Sequence, residues 1–393
     1  MGSMQVLLAT CGGWHLPNTA KGFQNRDALA GLWITGKNEG ACPPEKFRRC
    51  WPFHLAMKPF YHGAPQIWIE RAFYAFFPVW RAWLKRQKWP DCDVVQAIMG
   101  YATEPFDVAE KIGALKVIDC PNSHPTTYFG HWQRECDRWY PGEKVPIPRW
   151  MFERMSRELG RADLVLCPSN FVRDTMVQNG IPAGKCFVAP FGVDTGIFKP
   201  RPSPPPVPRF ICVGTICLRK GHQYLFRAFE QVKQKLPDAE LICVGNYKRD
   251  FRRERRRWVG TFTHRPLVSH PELAELLQTC SAFVLASVEE GFARVLSEAA
   301  AAGLPIIGTY ESGASTTISD GVEGFIVRGR DPQQIAEAMI RVVANPSLNQ
   351  KMGEAAHEKG AVKNTWQDYS DRLLAEYARR LPAASPAKPP QRQ

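Results

Sequence analysis

Residues 286–305 read Ala-Ser-Val-Glu-Glu-Gly-Phe-Ala-Arg-Val-Leu-Ser-Glu-Ala-Ala-Ala-Ala-Gly-Leu-Pro, and this stretch decides the fold. The apolar run that leads into it, residues 282–286, predicts a buried strand. A short turn follows, then an alanine-rich helix that ends at Gly303, and residues 305–309 predict the next strand. Strand, helix and strand in this order are typical of a doubly wound α/β sheet.

Two carboxylates, Glu290 and Glu298, lie at the start of this helix and two turns into it. A helix rises about 1.5 Å per residue, so Gly291 and Glu298 share a face roughly 10 Å apart. A helix N-terminus binds phosphate through free N–H groups and its partial positive charge. A diphosphate there would place one flanking sugar near each glutamate, where carboxylates accept paired hydrogen bonds from hydroxyls. The alternative is a solvated glutamate and a surface ion pair between Arg294 and Glu298.

The same stretch carries a pattern that is known from an enzyme family. The pattern consists of Glu290-Gly291-Phe292, Glu298-Ala299 and Ala302-Gly303-Leu304-Pro305. It resembles the E-x7-E signature of the retaining glycosyltransferases of family 4, which have the GT-B fold. The resemblance implies that Glu290 contacts the donor sugar and that Glu298 contacts the ribose of the nucleotide.

Two residues of the stretch depart from the family pattern. Ala293 stands where many members have glycine, and Arg294 stands where they have an apolar residue. We expect Arg294 to reach a donor phosphate or to pair with Glu298. The resemblance assigns donor contacts in this stretch to Glu290, Gly291, Phe292, Ala293, Arg294 and Glu298.

The composition describes a globular protein of two ordinary domains. Of the 393 residues, 44% are hydrophobic and 23% are charged. No apolar run approaches the ~20 residues that span a bilayer. The 12 cysteines show no Cys-x-x-Cys pair and no metal-ligand spacing, so we expect free thiols, a cytoplasmic protein and no bound metal or cofactor. A net charge of +13 indicates an anionic partner, which could be a phosphorylated ligand, a nucleic acid or a membrane surface.

The first half of the chain begins with a strand, a glycine turn and a helix. Residues 4–9 predict the strand, Gly12 and Gly13 the turn, and residues 20–32 the helix. In family 4 a similar loop lies across the cleft between donor and acceptor. The resemblance therefore makes Gly13 a donor-side candidate and His15 an acceptor-side candidate. The alternative is that the glycines only make the turn.

His124 follows the strand that residues 115–119 predict. Ligands of parallel sheets bind at the carboxyl ends of the strands, so this position favours a functional side chain. It resembles the cleft histidine of the family, which faces the transferred sugar. The alternative is a structural or helix-capping histidine.

A proline-rich segment, residues 199–208, predicts a stiff linker before a second series of strand, turn and helix. The turn ends in Arg219 and Lys220, and its match to the family implies that Lys220 contacts the donor diphosphate. Thr215 stands where the family commonly has arginine, and Arg219 is the candidate replacement. Two cations facing a diphosphate would stabilise the charge that grows on the leaving group. The alternative is a pair of solvated loop cations.

The fold expected from these features is GT-B, with two Rossmann-like doubly wound domains that face a central cleft. We expect an acceptor-side domain at 4–198 and a nucleotide-sugar-binding domain at 209–365. In family 4 the corresponding turn brackets the nucleotide base, so the resemblance makes Val268 a donor-binding candidate in the second domain. Residues 366–382 resemble the terminal helix of the family, which crosses back to the first domain, and 383–393 predict a disordered tail.

Residues 69–89 combine aromatic residues at helical spacing with lysines and arginines off that stripe, and Pro78 is expected to kink the helix. An amphipathic segment of this kind is typical of binding to an anionic membrane surface, here the inner face of the membrane. The alternative is an ordinary helix packed on its own sheet. The basic run at 248–258 is accompanied by no RNA-binding motif, so nucleic acid is not the favoured partner.

The function implied by the resemblance is transfer of a sugar from a nucleotide-diphosphate-sugar donor to an acceptor hydroxyl, with retention at the anomeric carbon and without a metal. The acceptor would be a sugar, a glycolipid or a small molecule in bacterial glycan, polysaccharide or glycolipid synthesis. Three alternatives remain: a sugar-nucleotide epimerase with the same fold, a silent scaffold that binds nucleotide sugars, and a basic RNA-binding protein.

Overall fold

The computed structural model describes residues 4–61, 66–142, 144–145, 147–248, 251, 254–361 and 364–381. The first of its two sheets consists of β1 (Val6–Thr10), β2 (Leu29–Ile34), β3 (Phe47–Arg49), β4 (Val94–Ile98), β5 (Leu115–Asp119), β6 (Leu164–Cys167) and β7 (Cys186–Val188). These seven strands lie in the order β3-β2-β1-β4-β5-β6-β7, and all their pairs are parallel.

The second sheet consists of β8 (Arg209–Val213), β9 (Glu240–Val244), β10 (Thr263–Arg265), β11 (Ala282–Leu285), β12 (Ile306–Thr309) and β13 (Gly324–Val327). Its six strands lie in the order β10-β9-β8-β11-β12-β13, again in parallel pairs. In each sheet the strand order reverses beside the first strand, β1 or β8. Ligands of doubly wound sheets bind at this switch point, outside the carboxyl ends of the strands.

Helices cover both sheets. Along the first half of the chain they are α1 (Leu16–Gln24), α2 (Trp51–Tyr61), α3 (Gln66–Lys85), α4 (Thr103–Ile112), α5 (Pro125–Trp139), α6 (Arg149–Arg161) and α7 (Asn170–Gln178). Along the second half they are α8 (His222–Lys235), α9 (His270–Gln278), α10 (Arg294–Ala301), α11 (Ala314–Thr317), α12 (Pro332–Ala344), α13 (Pro346–Ala361) and α14 (Trp366–Arg380). Helix α14 packs on α1, so the last described helix lies against the first sheet.

The helix predicted over 20–32 is wrong in its second part. Helix α1 ends at Gln24, Asp27 turns the chain with a φ of 54°, and Leu29–Ile34 forms strand β2. The sequence of β2 is apolar on all sides, which suits a central parallel strand buried on both faces. A helix on the surface would have needed a polar face.

The aromatic stripe of α3 packs into the core of the first sheet, as the packed-helix alternative proposed. Phe77, Trp80 and Leu84 are at most 2% exposed. Helix α3 runs without a break through Pro78. Among the described residues, none of the helices combines the length and the apolar character that a membrane crossing requires. The tail predicted at 383–393 lies outside the described residues.

Candidate active site

The candidate site lies where the loops after β8 and β11 leave the second sheet. These two strands pair in parallel, so both loops emerge at the same edge. The backbone N–H of Val288 donates to the carbonyl oxygen of Arg219 at 3.0 Å, which holds the loops side by side. The cations predicted at Arg219 and Lys220 therefore meet the glutamates that follow β11.

Both cations are engaged by carboxylates. The ammonium of Lys220 contacts Glu290 Oε2. The Nη1 atom of Arg219 lies 3.1 Å from Glu289 Oε2 and 3.3 Å from Glu290 Oε2, and it donates to the Glu289 carbonyl oxygen at 2.8 Å. Both side chains are largely shielded from solvent, so they are not the solvated loop cations of the alternative.

The pKa values of the two neighbouring glutamates, Glu289 and Glu290, are shifted in opposite directions. Burial alone would raise the pKa of Glu290, but the charges of Lys220 and Arg219 outweigh burial and hold that pKa below its ordinary value. Burial raises the pKa of Glu289, and Arg219 and Ser123 oppose it only in part. Glu290 is thus the carboxylate that the cations keep ionised.

The donor-side loop touches the first sheet at Gly291. A Cβ atom on this glycine would lie 1.7 Å from the carbonyl oxygen of Pro121. The hydroxyl of Ser169 donates to the Gly291 carbonyl oxygen at 2.6 Å. Nearby, the backbone N–H of Asn170 donates to the Thr316 hydroxyl at 2.8 Å. Loops that follow the strands of the two sheets therefore meet directly at the candidate site.

Glu289 and Ser123 form a contact that the sequence analysis missed. The Ser123 hydroxyl donates to Glu289 Oε1 at 2.8 Å, and the Ser123 N–H donates to the same oxygen at 3.3 Å. The doubled glutamate was visible in the sequence, but nothing local indicated that its first member is buried against the other sheet.

His124 caps helix α5. Its Nδ1 accepts from the backbone N–H of Thr126 at 3.3 Å, and burial lowers the pKa of the imidazole. The ring is therefore neutral at pH 7, and because Nδ1 accepts, we assign its proton to Nε2. The capping alternative describes the observed contact, while Nε2–H remains suited to donate to a sugar oxygen. Contact with the sugar stays a prediction.

His15 lies in a buried polar network of the first sheet. Its Nε2 is 2.8 Å from Asp119 Oδ2, which also accepts from Gln96 Nε2 at 2.8 Å. The ring packs on Phe191 with centroids 4.2 Å apart. Because the side chain is buried, its direct contact with an acceptor also stays a prediction. Gly13 is half-buried in the loop just before this histidine.

Glu298 is buried, which excludes the solvated glutamate of the alternative. Its Oε1 lies 3.8 Å from His270 Nε2 and 3.9 Å from Arg294 Nη2. Burial raises the pKa of the Glu298 carboxyl, and the charges of Arg294 and His270 oppose the rise. Within the described part of the chain the ion-pair contacts of this buried carboxylate are both long, which suits a ligand that brings hydrogen-bond donors.

The other predicted residues vary in exposure. Thr215 is exposed beside Gly214, Val268 is half-buried, and Phe292 and Ala293 are buried. Within the described part of the chain, we find no group of three or more His, Cys, Asp or Glu side chains placed to hold a metal ion. All 12 cysteines are free thiols.

Comparison with solved structures defines the class of fold. Sucrose-phosphate synthase from Thermosynechococcus elongatus aligns with a TM-score of 0.70 at 16% identity, over 95% of this chain and 98% of that chain. HepE from Anabaena, in complex with UDP and glucose, aligns with a TM-score of 0.68 at 15% identity, over 96% and 100%. These similarities confirm the predicted GT-B fold.

Comparison with family models gives the family. The model described as "Glycosyltransferase Family 4" matches residues 45–196, and the model described as "Glycosyl transferases group 1" matches residues 194–359. The chain belongs to the family 4 glycosyltransferases, as the E-x7-E stretch predicted.

Curated relatives match part of the chain. The D-inositol 3-phosphate glycosyltransferase of Paenarthrobacter aurescens is 30% identical over 55% of this chain and 57% of its own length. The GDP-mannose-dependent alpha-(1-6)-phosphatidylinositol monomannoside mannosyltransferase of Mycolicibacterium smegmatis is 26% identical over 68% of this chain and 71% of its own length. The match thus spans just over half of the first relative.

Proposed function

We propose that the protein is a retaining glycosyltransferase that moves a sugar from a nucleotide-diphosphate-sugar donor to an acceptor hydroxyl without a bound metal. The observation that carries the proposal is the pair of shielded cations, Arg219 and Lys220, at the ligand-binding edge of the second sheet. Helix α10 starts at Arg294, shortly after Glu290, which contacts Lys220, and a helix start favours anions.

The arrangement suggests how donor binding and chemistry are linked. In the described structure Glu290 neutralises Lys220. A diphosphate carries more negative charge than one carboxylate, so the donor would take over Lys220 and release Glu290 to accept hydrogen bonds from sugar hydroxyls. Charge then grows on the departing diphosphate, and Lys220 and Arg219 stabilise it. Close contact between the sheets excludes water from the reaction.

The relatives support the class of donor and acceptor. One is named for GDP-mannose and for a phosphatidylinositol acceptor, one for an inositol phosphate, and one solved neighbour holds UDP and glucose. We infer that this protein also uses a nucleotide-diphosphate sugar. Its acceptor is a sugar, a glycolipid or a small polyol, in glycan or glycolipid synthesis.

A panel of nucleotides and nucleotide sugars tests this proposal. A ligand that binds only the folded protein raises its melting temperature, so nucleoside diphosphates should do so. Sugar transfer from the matching donor, measured in the presence of EDTA, should proceed with retention. Interconversion of nucleotide sugars without an acceptor would favour an epimerase, and binding without turnover would favour the scaffold.

Replacing Glu298 with alanine should weaken binding of the nucleoside diphosphate about 10- to 100-fold. The reason is that charge-assisted hydrogen bonds to the ribose, worth roughly 1.5–3 kcal/mol, would be lost. Calorimetric titration of the bare nucleotide measures the effect. Glu275→Ala, on the exposed surface of α9, is the matched control. Unchanged affinity in a folded Glu298→Ala protein would exclude the ribose contact.

We further propose that the protein binds peripherally to the inner face of the membrane, through the α2–α3 hairpin. The stripe within 69–89 is packed, but Trp51, Leu55 and Trp68 are 56%, 60% and 54% exposed. The guanidinium of Arg49 lies 4.4 Å from the Trp51 ring centroid, and that of Arg71 lies 5.9 Å from the Trp68 ring centroid. Aromatic side chains flanked by cations suit an anionic lipid surface.

Binding to anionic vesicles should fall with salt without vanishing, because salt screens the cations but not the apolar contact. The double variant Trp51→Ser, Trp68→Ser should lose the salt-resistant part and keep activity on a detergent-soluble acceptor. Changing Arg81, Lys85, Arg86 and Lys88 to glutamine, at the other end of α3, is the matched electrostatic variant, and it should reduce vesicle binding while sparing that activity. Co-sedimentation with the vesicles measures the binding of both variants. If the wild-type protein does not bind the vesicles at low salt, the proposed membrane binding is contradicted.

A further inference from the structure

The carboxylate of Glu289 joins the two halves of the candidate site. It is 0% exposed, although it lies in a loop next to Glu290. One of its oxygens accepts from Ser123, after β5 of the first sheet, and the other faces Arg219, after β8 of the second sheet. A buried carboxylate is costly unless it is paired and hydrogen-bonded, and here two different domains supply the partners.

Each partner precedes a residue to which we assign a role in the reaction. Ser123 stands directly before His124, and Arg219 stands directly before Lys220. The contact with Ser123 is made by both its hydroxyl and its N–H, so it fixes the backbone that leads into His124. The contact with Arg219 is reinforced by the Glu289 carbonyl oxygen, which accepts from the same Nη1 at 2.8 Å.

Neighbouring contacts keep the two sides in register. On helix α5, the ring of His131 lies with its Nδ1 2.8 Å from the carbonyl oxygen of Val288. The Arg219 guanidinium also lies 5.9 Å from the ring centroid of Tyr128 on the same helix. The loop that holds Glu289 is therefore attached to the first domain on both sides of the carboxylate, at Val288 and at Gly291, whose carbonyl oxygen accepts from Ser169.

We propose that Glu289 is a positioning residue that couples closure of the two domains to the placement of Arg219 and His124. The inference rests on the proposed function and adds to it a residue outside the E-x7-E pattern. Glu289 does not touch the donor; it acts through Ser123 and Arg219. In the open protein the carboxylate would lose Ser123, while its contacts with Arg219 lie within the second domain and would remain. His124 would then no longer be held in a fixed position relative to Arg219.

The coupling predicts that binding and turnover respond differently to Glu289→Gln. The variant keeps the size of the side chain but removes its charge. Turnover should fall about 10- to 100-fold, because a small misplacement of reacting groups costs this much. The affinity for the bare nucleoside diphosphate should stay the same or increase, because Arg219 then pairs with one carboxylate fewer and is freer to pair with the diphosphate. A residue that only maintains the fold would lower both together.

A double-mutant cycle with Ser123→Ala tests whether the two residues act as one unit. The turnover losses of Ser123→Ala and Glu289→Gln should be non-additive, with the double variant no worse than Glu289→Gln. Glu135→Gln is the matched control. That carboxylate is also buried between the domains, where it pairs with Arg330 and accepts from Tyr224, but its partners lie outside the pair of loops that carries the cations. Glu135→Gln should reduce turnover less than Glu289→Gln does.

The outcomes separate the inference from the proposed function. Three results would overturn the coupling and leave the transferase proposal intact. They are additive turnover losses in the cycle, a parallel loss of nucleotide affinity, and a turnover that Glu289→Gln does not change. A folded wild-type protein that binds no nucleotide would overturn the proposed function itself. Melting temperatures of all variants show whether each has folded, and small-angle scattering reports whether Glu289→Gln is more open, as the coupling requires.

Discussion

Replacing Lys220 with alanine is expected to lower turnover by about 10²- to 10³-fold, the usual effect of removing one group that stabilises charge in a transition state. The affinity for the donor should fall much less, because the charge on the leaving diphosphate grows only as the bond to the sugar breaks. Comparing kcat with the dissociation constant of the intact nucleotide-sugar donor separates the two effects. Lys116→Ala, which removes another lysine that is ion-paired and mostly shielded, is the control.

Lys220→Ala should also change the pH dependence of turnover. Burial favours the neutral form of Glu290, and at present Lys220 and Arg219 outweigh it and hold the pKa below its ordinary value. Without Lys220 only Arg219 opposes burial, so the pKa of Glu290 must rise. If ionised Glu290 is needed, the acid limb of the pH–rate profile moves to higher pH. Equal losses of turnover and of affinity for the intact donor, with an unmoved acid limb, would contradict the role of Lys220.

The sequence predicted the part of the site that is local. Residues 282–309 hold a strand, a turn, a helix and a strand in unbroken order, and each has its own signal in the chain. Gly303, for example, ends the helical segment with a φ of 71°, a conformation that glycine adopts without strain. The resemblance added the roles of the two glutamates, and the helix and its neighbouring strands followed from the sequence pattern alone.

The rest of the site depends on contacts that no local pattern records. Ser123 and Glu289 are 166 positions apart, and only the approach of the two sheets brings them together. His15 and Asp119 are 104 positions apart, so the burial of His15 was not visible in its own loop. The error at Leu29–Ile34 has a related cause, since a fully apolar run suits a helix or a strand until its neighbours are known.

Replacing Gly291 with alanine is expected to abolish most of the activity while both domains stay folded. The new Cβ atom would lie 1.7 Å from the carbonyl oxygen of Pro121, 2.4 Å from its carbonyl carbon and 2.9 Å from the Asn122 nitrogen. All three are backbone atoms of the other domain, which cannot move aside as a flexible side chain does. Gly291 itself is not in the left-handed region, so alanine fits its own backbone without strain.

The clash of Gly291→Ala can therefore be relieved only by separating the two domains. Turnover should fall by about 10²-fold or more, because the groups on the two sides no longer meet. Small-angle scattering should show a larger radius of gyration, with little change in melting temperature. Gly160→Ala, where an added Cβ meets nothing within 4 Å, should change neither turnover nor the radius of gyration. Gly221→Ala provides the contrast: its φ is +71° and its Cβ would lie 1.8 Å from the Ala286 carbonyl oxygen of the same domain, so it should lower stability itself. An active and compact Gly291→Ala protein would mean that the contact at Pro121 is not part of the working enzyme.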